Sequence, residues 1–303
     1  MDSRILTALD EREELLGSAG LTAYRLVDGE GDWLPGLTID VLDGVWLVST
    51  TGKPLPYGFT ECLPPSCRSV YWKQLDQHDK KEPVWVCGDV VDVPFVIVEN
   101  KVRYEVSLKA GYSQGLFLDQ RGNRRRVRKR VGAGDRVLNC FSYTCGFSVV
   151  AALGGAITTS LDLSSPYLEW GKRNFALNGL ATEDHYFCKG DALHWLKRFA
   201  KQGRRFHGVV IDPPTFSRSE SGVFRASKDY GDLVKSACHA AEAKGWLLCC
   251  CNERRMYLDA FMDSVSKGIA KAGRHCGTME AYDMPKDFTG DQYLKSVWVD
   301  LQD

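Results

Sequence analysis

Short apolar runs separated by turn residues dominate the first third of the chain. The segment LTIDVLDGVWLVST (residues 37–50) holds two such runs joined by Asp43-Gly44, a dipeptide typical of tight β-hairpins. The segment FVIVENKVRYEVSL (residues 95–108) has the same form, with a turn at Glu99-Asn100. The pattern also predicts a short helix and two further strands, at residues 3–17, 69–73 and 84–87. These elements predict a small β-rich unit.

From about residue 117 the pattern changes to apolar strands that alternate with helices. Strands are predicted at residues 136–139, 157–161, 185–188, 207–211 and 245–251. Helices are predicted at residues 119–131, 146–153, 166–178, 192–202, 226–243 and 257–272. Such alternation produces βαβ units and a parallel sheet with helices on both faces. We therefore predict an α/β, Rossmann-like domain at residues 113–303 after a smaller β-rich (α+β) domain at residues 1–112. A last strand, 296–301, is expected at an edge of the sheet.

The net charge of zero conceals an asymmetry between the two parts of the chain. Residues 1–100 contain 8 lysines and arginines against 17 aspartates and glutamates, and the remaining residues contain 31 against 22. Seven of the ten residues in RGNRRRVRKR (121–130) are basic. A basic helix of this kind is typical of phosphate contacts, although it also occurs as a solvated face without a partner. The pattern makes nucleic acid a candidate partner.

Other compositional signals are weak. The 11 cysteines include no C-x-x-C pair, and the six histidines have no metal-ligand spacing, so we expect neither a disulfide framework nor a metal site. No run approaches the ~20 apolar residues that a membrane span requires, so we expect no membrane association. The acidic, amphipathic start does not resemble a secretory signal, which predicts a cytoplasmic protein. The oligomeric state, monomer or homodimer, stays open.

The polar residues directly after the predicted strands are the candidate site. In an open parallel sheet, ligands bind beyond the carboxyl ends of the strands. The first strand is followed by NCFSYTCG (139–146), in which Gly146 permits close backbone approach at the start of a helix. Asp162, Asp191 and Asp212 follow the next three strands. One such aspartate is often only a helix N-cap, but three on consecutive strands favour a binding site. We expect Asp162 to accept hydrogen bonds from ribose hydroxyls and Asp191 to accept one from an adenine amino group.

The loop after the first strand contains neither G-x-G-x-x-G nor a P-loop motif. The sequence therefore gives little support for a pyrophosphate site. A nucleoside without phosphates fits better, and S-adenosylmethionine is the expected cofactor.

The motif Asp212-Pro213-Pro214-Thr215-Phe216 is the most informative motif in the chain. The two prolines fix the backbone and remove two donors, which holds Asp212 rigidly at the strand end. Phe216 can stack on a planar base while Asp212 accepts from its edge, an arrangement that suits an unpaired or flipped-out base. The alternative is a simple proline-rich loop. The motif predicts that Asp212, Pro213, Pro214 and Phe216 form the catalytic site.

Five longer stretches of the chain are specific enough to show a family resemblance: YRLVDGEGDWLPGLTID (24–40), GLFLDQRGNRR (115–125), LNCFSYTCGF (138–147), LDLSSPYLEWGKRNFALNGL (161–180) and IDPPTFSRS (211–219). Through these stretches the chain, from about residue 24 onwards, resembles the bacterial large-subunit ribosomal RNA methyltransferases. The resemblance implies a small β-rich domain before a Rossmann-like methyltransferase domain. It also implies a cofactor site, which with the strand-end residues comprises Gln120, Arg121, Phe141, Ser142, Tyr143, Gly146, Asp162, Leu163, Asp191, Ala192 and Asp212. We expect no counterpart of the PUA domain of one branch, and Cys145 stands where family members have Gly.

Two branches of this family differ in the atom that they methylate. Carbon 5 of cytosine is a poor nucleophile, so that branch uses a cysteine thiolate just after the fifth strand. A ring nitrogen of guanine already has a lone pair and needs mainly alignment. Here the fifth strand ends in CCCNERR (249–255), and Asn252 stands where the cytosine branch has its nucleophile. We therefore favour guanine, closer to the 7-methylguanine branch. A cytosine enzyme that uses Cys249, Cys250 or Cys251 is the alternative.

A second alternative is an RNA-binding or ribosome-assembly factor without turnover.

We predict that RNA is contacted by one face of the basic helix and by Asn252 at the end of the fifth strand. That face comprises Arg121, Arg124, Arg125 and Arg128, which share a side at helical spacing. Lys286-Asp287-Phe288 and the nearby Gln292 are further candidates, as a lid over the base.

Overall fold

A computed structural model describes residues 2–61, 63–75, 82–110, 113–219 and 222–302. The chain forms two compact units. The first is Met1–Arg121 with Met284–Asp291, and the second is Gly122–Asp283 with Gln292–Asp303. The first unit thus includes a short segment from near the C-terminus. The predicted domains, residues 1–112 and 113–303, stay a prediction.

The first unit is built on a five-stranded sheet and a hairpin. Helix α1 (Ser3–Ala19) precedes strands β1 (Ala23–Asp28), β2 (Leu37–Leu42), β3 (Val45–Thr50), β4 (Ser69–Gln74) and β5 (Val84–Gly88), which lie in this order in the sheet. Strands β3 and β4 are parallel, and the other neighbours are antiparallel. Strands β6 (Phe95–Glu99) and β7 (Val102–Val106) form the hairpin. The predicted helix and strands are confirmed, whereas the sequence pattern did not reveal β1.

Turn chemistry explains both predicted hairpins. Asp43 and Gly44 have φ of 51° and 77°, and Asn100 and Lys101 have φ of 51° and 66°. Two consecutive positive φ values are what a two-residue hairpin turn of the I′ type requires, and Asp, Asn and Gly tolerate them best. The second turn lies one residue later than the sequence suggested, because β6 extends through Glu99.

A compact apolar core holds this unit together. Ile5 and Ala8 of α1 lie in one buried cluster with Trp46 and Val48 of β3. Full burial of a large apolar side chain contributes about 1.5–3 kcal/mol relative to exposure. Asp2 caps the helix, since its Oδ1 accepts from the amide of Arg4 at 3.0 Å.

The second unit is an α/β unit around a seven-stranded sheet. Its strands are β8 (Arg136–Cys140), β9 (Ile157–Asp162), β10 (Tyr186–Lys189), β11 (Phe206–Ile211), β14 (Ala241–Cys251), β15 (His275–Tyr282) and β16 (Lys295–Gln302). They lie in the order β10-β9-β8-β11-β14-β16-β15. The helices are α2 (Arg121–Arg130), whose first residue belongs to the first unit, α3 (Gly146–Leu153), α4 (Ser165–Leu177), α5 (Ala192–Lys201), α6 (Ala226–Ala240) and α7 (Leu258–Lys271). The Rossmann-like prediction is confirmed.

The last strand is not at the edge of the sheet, contrary to the prediction. Strand β16 lies antiparallel between β14 and β15, and β15 forms the edge. β15 has the sequence HCGTMEAY and is mostly exposed, so it lacks the apolar run that identified the other strands. A small antiparallel hairpin, β12 (Phe216–Ser219) with β13 (Gly222–Arg225), also escaped prediction.

Close packing fixes the central strands of this sheet. A Cβ added to Gly208 of β11 would lie 2.0 Å from the ring of Trp246 in β14, so only glycine fits there. The hydroxyl of Tyr230 in α6 lies 3.1 Å from the carbonyl oxygen of Ile211 and 2.9 Å from that of Cys250. This buried contact ties the carboxyl ends of β11 and β14 to one helix. In the described part of the chain, no helix is both long and apolar enough to cross a membrane.

Candidate functional site

The parallel strands end side by side and form what we call the carboxyl edge. In the ladders Cys140 pairs with both Leu161 and Ile211, Leu161 pairs with Cys188, and Ile211 pairs with Cys249. The segments that follow β8, β9, β10, β11 and β14 therefore leave the sheet along one edge. These segments carry the predicted strand-end residues, including Asp162, Asp191, Asp212 and Asn252.

The loop after β8 has an unusual backbone. Phe141, Tyr143 and Cys145 have φ of 59°, 49° and 63°, which non-glycine residues rarely adopt. The conformation is held by neighbouring groups, because the amide of Ser142 donates to the carbonyl of Leu161 at 2.8 Å. Asn174 of α4 donates to the carbonyl of Thr144 at 3.0 Å. Backbone strain maintained by surrounding contacts is typical of binding sites.

Cys145 ends this loop and precedes Gly146, the first residue of α3. Its side chain is fully buried, and burial raises the pKa of the thiol to about 12. A Cβ added to Gly171 of α4 would lie 2.3 Å from the sulfur of Cys145. Cys145 is therefore a packing residue that requires glycine opposite it, and its thiol is not activated for chemistry.

Asp162 ends β9 and supports the loop directly. Its two carboxylate oxygens accept from the amides of Tyr143 and Ser164, each at 2.8 Å. Burial raises the pKa of this carboxyl, and the backbone amides of Ser164, Tyr143 and Leu163 oppose the shift. Each carboxylate oxygen can accept two hydrogen bonds. Asp162 therefore keeps acceptor capacity that fits the two hydroxyls of a ribose, beside Leu163, which is 42% exposed.

Asp191 has an observed structural role. It is the N-cap of α5, and its side chain accepts from the amide of His194 at 2.9 Å. The next residue, Ala192, is buried. The contact accounts for the aspartate without a ligand, so its predicted bond to adenine stays a prediction.

The D-P-P-T-F motif forms the corner after β11. Asp212 is half-buried, Pro213 is buried and Pro214 is exposed. Phe216 then opens β12 with 46% of its surface exposed. The aromatic ring is thus available for stacking, close in sequence to a half-buried carboxylate.

At the end of β14, three buried cysteines are followed by an exposed asparagine. Cys249, Cys250 and Cys251 are at most 1% exposed, whereas Asn252 is exposed. Burial raises the pKa of the thiols of Cys249 and Cys251. These thiols therefore lack both the access and the thiolate character that a nucleophile needs.

Two predicted cofactor residues, Gln120 and Arg121, belong to the first unit, where both are buried. The guanidinium of Arg121 forms an ion pair with the fully buried Asp287, and its Nη1 donates to Oδ2 at 3.1 Å. That pairing leaves Arg121 unsuited to bind phosphate, contrary to the prediction. It also corrects the lid hypothesis, because Asp287 and Phe288 are 0% and 2% exposed.

The basic helix α2 presents a different face to solvent than expected. Arg124 is 3% exposed, so the predicted phosphate contact is wrong for this residue also. Arg125 and Arg128 are exposed, and their predicted phosphate contact stays a prediction. Val127 and Val131, the only apolar residues from 121 to 131, are both buried and mark the inner face. Their spacing is the sequence signal that would have identified it.

Sequence reasoning also missed Lys295, the first residue of β16. It is 7% exposed, and its ammonium donates to the carbonyls of Glu253 at 2.5 Å and Tyr293 at 2.8 Å. Because Lys295 pairs with Cys251 in the ladder, it anchors the segment that contains Asn252. A lysine in an apolar strand gives no sequence signal of this contact.

Comparison with known proteins agrees with this geometry. A family model for S-adenosylmethionine-dependent methyltransferases matches residues 66–290. Ribosomal RNA large subunit methyltransferase I of Aeromonas salmonicida is 33% identical over 296 residues, covering 94% of this chain and 74% of the relative. The ribosomal RNA large subunit methyltransferase of Deinococcus radiodurans is 31% identical over 326 residues, covering 99% and 78%. These relatives are named as enzymes, which overturns the alternative of a factor without turnover.

A solved structure gives the same result. The crystal structure of the methyltransferase SMU.776, complexed with SAH, matches with a TM-score of 0.86 and 28% identity, over 98% of this chain and 80% of that one. The cofactor is S-adenosylmethionine, as predicted, and the constrained loop and Asp162 fit a phosphate-free nucleoside. The chain belongs to the S-adenosylmethionine-dependent methyltransferase family.

Proposed function

We propose that this enzyme methylates a base of large-subunit ribosomal RNA in the cytoplasm, and that the acceptor is a ring nitrogen of guanine. The relatives named for this RNA, at 31–33% identity, support the substrate. The burial of Cys249, Cys250 and Cys251 is the observation that carries the choice of base. A cytosine mechanism needs a thiolate to attack carbon 6, and a buried thiol with a raised pKa does not supply one.

The side chains of the carboxyl edge have separate roles in binding the cofactor and the target base. The bound cofactor supplies a methyl group on a positively charged sulfur. Asp162 accepts from the ribose hydroxyls, and Phe141, Ser142 and Tyr143 shape the nucleoside site. Asp212 accepts from the edge of the target base, while Pro213 and Pro214 keep its backbone fixed. Phe216 stacks on the base.

Positioning supplies most of the catalysis in this scheme. Nitrogen 7 of guanine carries a lone pair and no proton, so it is itself the nucleophile, and its methylation requires neither a protein nucleophile nor a base. Holding two reactants in line is worth up to about 7–11 kcal/mol of barrier. Exposed Arg125 and Arg128 on α2 contact phosphates, and Asn252 contacts the RNA near the base.

The test is transfer of labelled methyl from S-adenosylmethionine to ribosomal RNA that lacks this modification, followed by digestion to nucleosides. We expect the label in methylguanosine. Label in 5-methylcytidine would overturn the base assignment, and so would a covalent adduct on RNA that contains 5-fluorocytidine. A Cys249→Ser, Cys250→Ser and Cys251→Ser series serves as the control, and each folded variant should retain transfer.

A further inference from the structure

The β12–β13 hairpin has two chemically different faces. Phe216 pairs with Arg225, Ser217 with Phe224, and Arg218 with Val223. Because side chains alternate between the faces of a strand pair, residues on one strand and their partners on the other share a face. One face therefore carries Phe216, Arg218, Val223 and Arg225, which we call the outer face. The other carries Ser217, Ser219 and Phe224.

The inner side anchors the hairpin to the cofactor loop. Phe224 is 8% exposed, and its ring centroid lies 6.3 Å from that of Phe141. The amide of Ala226 donates to the carbonyl of Thr215 at 3.0 Å, which closes the base of the hairpin. The hairpin therefore stands next to the predicted site for the methyl donor and directly follows the Asp212-Pro213-Pro214 corner.

The outer face exposes apolar surface and positive charge together. Phe216 and Val223 are 46% and 51% exposed, and Arg218 and Arg225 are exposed as well. The guanidinium carbons of Arg218 and Arg225 lie 5.5 Å and 5.8 Å from the centroid of the Phe216 ring. Among the described residues, neither guanidinium forms an ion pair with a carboxylate. The charge on this face is therefore available to an anionic partner.

An unpaired polynucleotide has the matching chemistry. Proteins bind single strands by combining cationic side chains for the phosphates with an aromatic ring on which a base stacks. An acidic peptide would satisfy the arginines but would not use an exposed ring beside the corner that receives the target base. The outer face thus favours RNA over an acidic protein.

We propose that the outer face of the hairpin binds the unpaired nucleotides that flank the target base. Arg218 and Arg225 contact their phosphates, Val223 packs against a neighbouring base or sugar, and Phe216 borders the target. This inference depends on RNA being the substrate, as proposed above. It adds two points to the proposed function. The RNA segment that flanks the target base is single-stranded, and the residues of the outer face bind it.

The test is charge reversal, Arg218→Glu with Arg225→Glu, in the full chain with ribosomal RNA as substrate. We expect KM to rise at least tenfold while kcat stays within about twofold. The slope of log affinity against log salt should fall by about 1.4, since each single-strand phosphate contact contributes about 0.7. The affinity for S-adenosylmethionine, measured by calorimetry, should not change.

The matched control is Lys201→Glu with Lys244→Glu, which changes the net charge equally. Lys201 ends α5 and Lys244 lies near the start of β14, so both are exposed at the end of the sheet opposite the carboxyl edge. The control should leave KM and the salt slope unchanged. If the glutamate pair does not fold, judged by its thermal melt, Arg218→Gln with Arg225→Gln tests the same contacts with a smaller change.

The outcomes separate the two proposals. Methylation of RNA by a folded hairpin variant with wild-type KM and salt slope would overturn the role of the hairpin and leave the proposed function intact. If wild-type protein transfers no methyl to ribosomal RNA, the proposed function fails. RNA affinity and salt slope then still test the hairpin, and equal values for wild type and variant would overturn it.

Discussion

Two buried carboxylates of the first unit and the half-buried carboxylate of Asp162 in the second unit have different hydrogen-bond partners. In the first unit, Asp32 accepts from both terminal nitrogens of Arg12 at 2.8 Å, and Asp287 pairs with Arg121. In the second unit, the carboxylate of Asp162 accepts hydrogen bonds from the backbone amides of Tyr143 and Ser164. Asp32 and Asp287 are neutralised by guanidinium groups and have structural roles, whereas Asp162 binds one amide with each oxygen and keeps acceptor capacity for a ligand. For these three aspartates, the hydrogen-bond partner distinguishes the two roles.

Replacing Asp287 with alanine should give the largest effect. The change leaves Arg121, whose side chain is 7% exposed, without its counter-charge, and it removes the acceptor of the Arg25 amide at 2.9 Å. Breaking a buried ion pair costs about 3–5 kcal/mol. Urea denaturation should show this loss, and Asp263→Ala is the control, because Asp263 forms an exposed pair with Lys267. A loss no larger than that of the control would show that the pair is not structural.

Asp162→Asn should instead act mainly on ligand binding. Asparagine keeps one acceptor for the loop amides but loses the charge that strengthens hydrogen bonds to ribose hydroxyls. Hydrogen bonds to a charged group are worth about 1.5–3 kcal/mol, so the dissociation constant for S-adenosylmethionine should rise about 10- to 100-fold. Calorimetry measures this directly.

The pH dependence sharpens the same prediction. Burial raises the pKa of Asp162, so its charge is lost on acidification at a higher pH than for an exposed aspartate. Wild-type affinity for the cofactor should weaken as the pH falls through that raised pKa, and the asparagine variant should not show this dependence. The effect of pH on folding stability has the opposite sign. A carboxyl whose pKa is raised in the folded protein destabilises the fold when it is charged, so this unfavourable contribution appears as the pH rises above the pKa. Equal pH profiles for the two proteins would remove Asp162 from the site.

Gly171→Ala tests the packing behind the cofactor loop. The new methyl group would lie 2.3 Å from the Cys145 sulfur, and such overpacking costs about 1–3 kcal/mol. Adding Cys145→Gly removes the clash, so the double variant should recover most of the loss. A double-mutant cycle by urea denaturation measures the coupling. Additive effects would show that the two residues do not interact.

Arg125→Glu with Arg128→Glu should have the smallest effect. Both side chains are exposed on α2, so stability should change by no more than about 0.5 kcal/mol. RNA affinity should fall several-fold and its salt dependence should weaken. Filter binding at several salt concentrations checks both quantities. Unchanged affinity would mean that this face of the helix is only solvated.

The sequence predicted elements well where apolar runs identify them. Strands β8, β9, β11 and β14 are buried along most of their length, so their positions are visible in the sequence. Strand β15 is exposed and polar, and its pairing with β16 is a tertiary contact that no local pattern encodes.

The candidate site shows the same limit. Asp162 and the D-P-P corner follow apolar strands and were found from sequence. The outer face of the hairpin was not, because Phe216, Arg218, Val223 and Arg225 come together only after the strands pair. Arg124 was assigned to the wrong face of α2, since charge alone does not tell which side of a helix packs inward.

The octapeptide Met284–Asp291 limits how the chain can be divided into fragments. The polypeptide passes between the units at three places, after residues 121, 283 and 291, so no single cut separates them. An isolated N-terminal fragment would lack the carboxylate of Asp287, which neutralises Arg121. A fragment without the N-terminal part would contain Asp287 and Phe288 without the rest of the unit in which both are buried. Chimeras between relatives should therefore exchange the octapeptide together with residues 1–121.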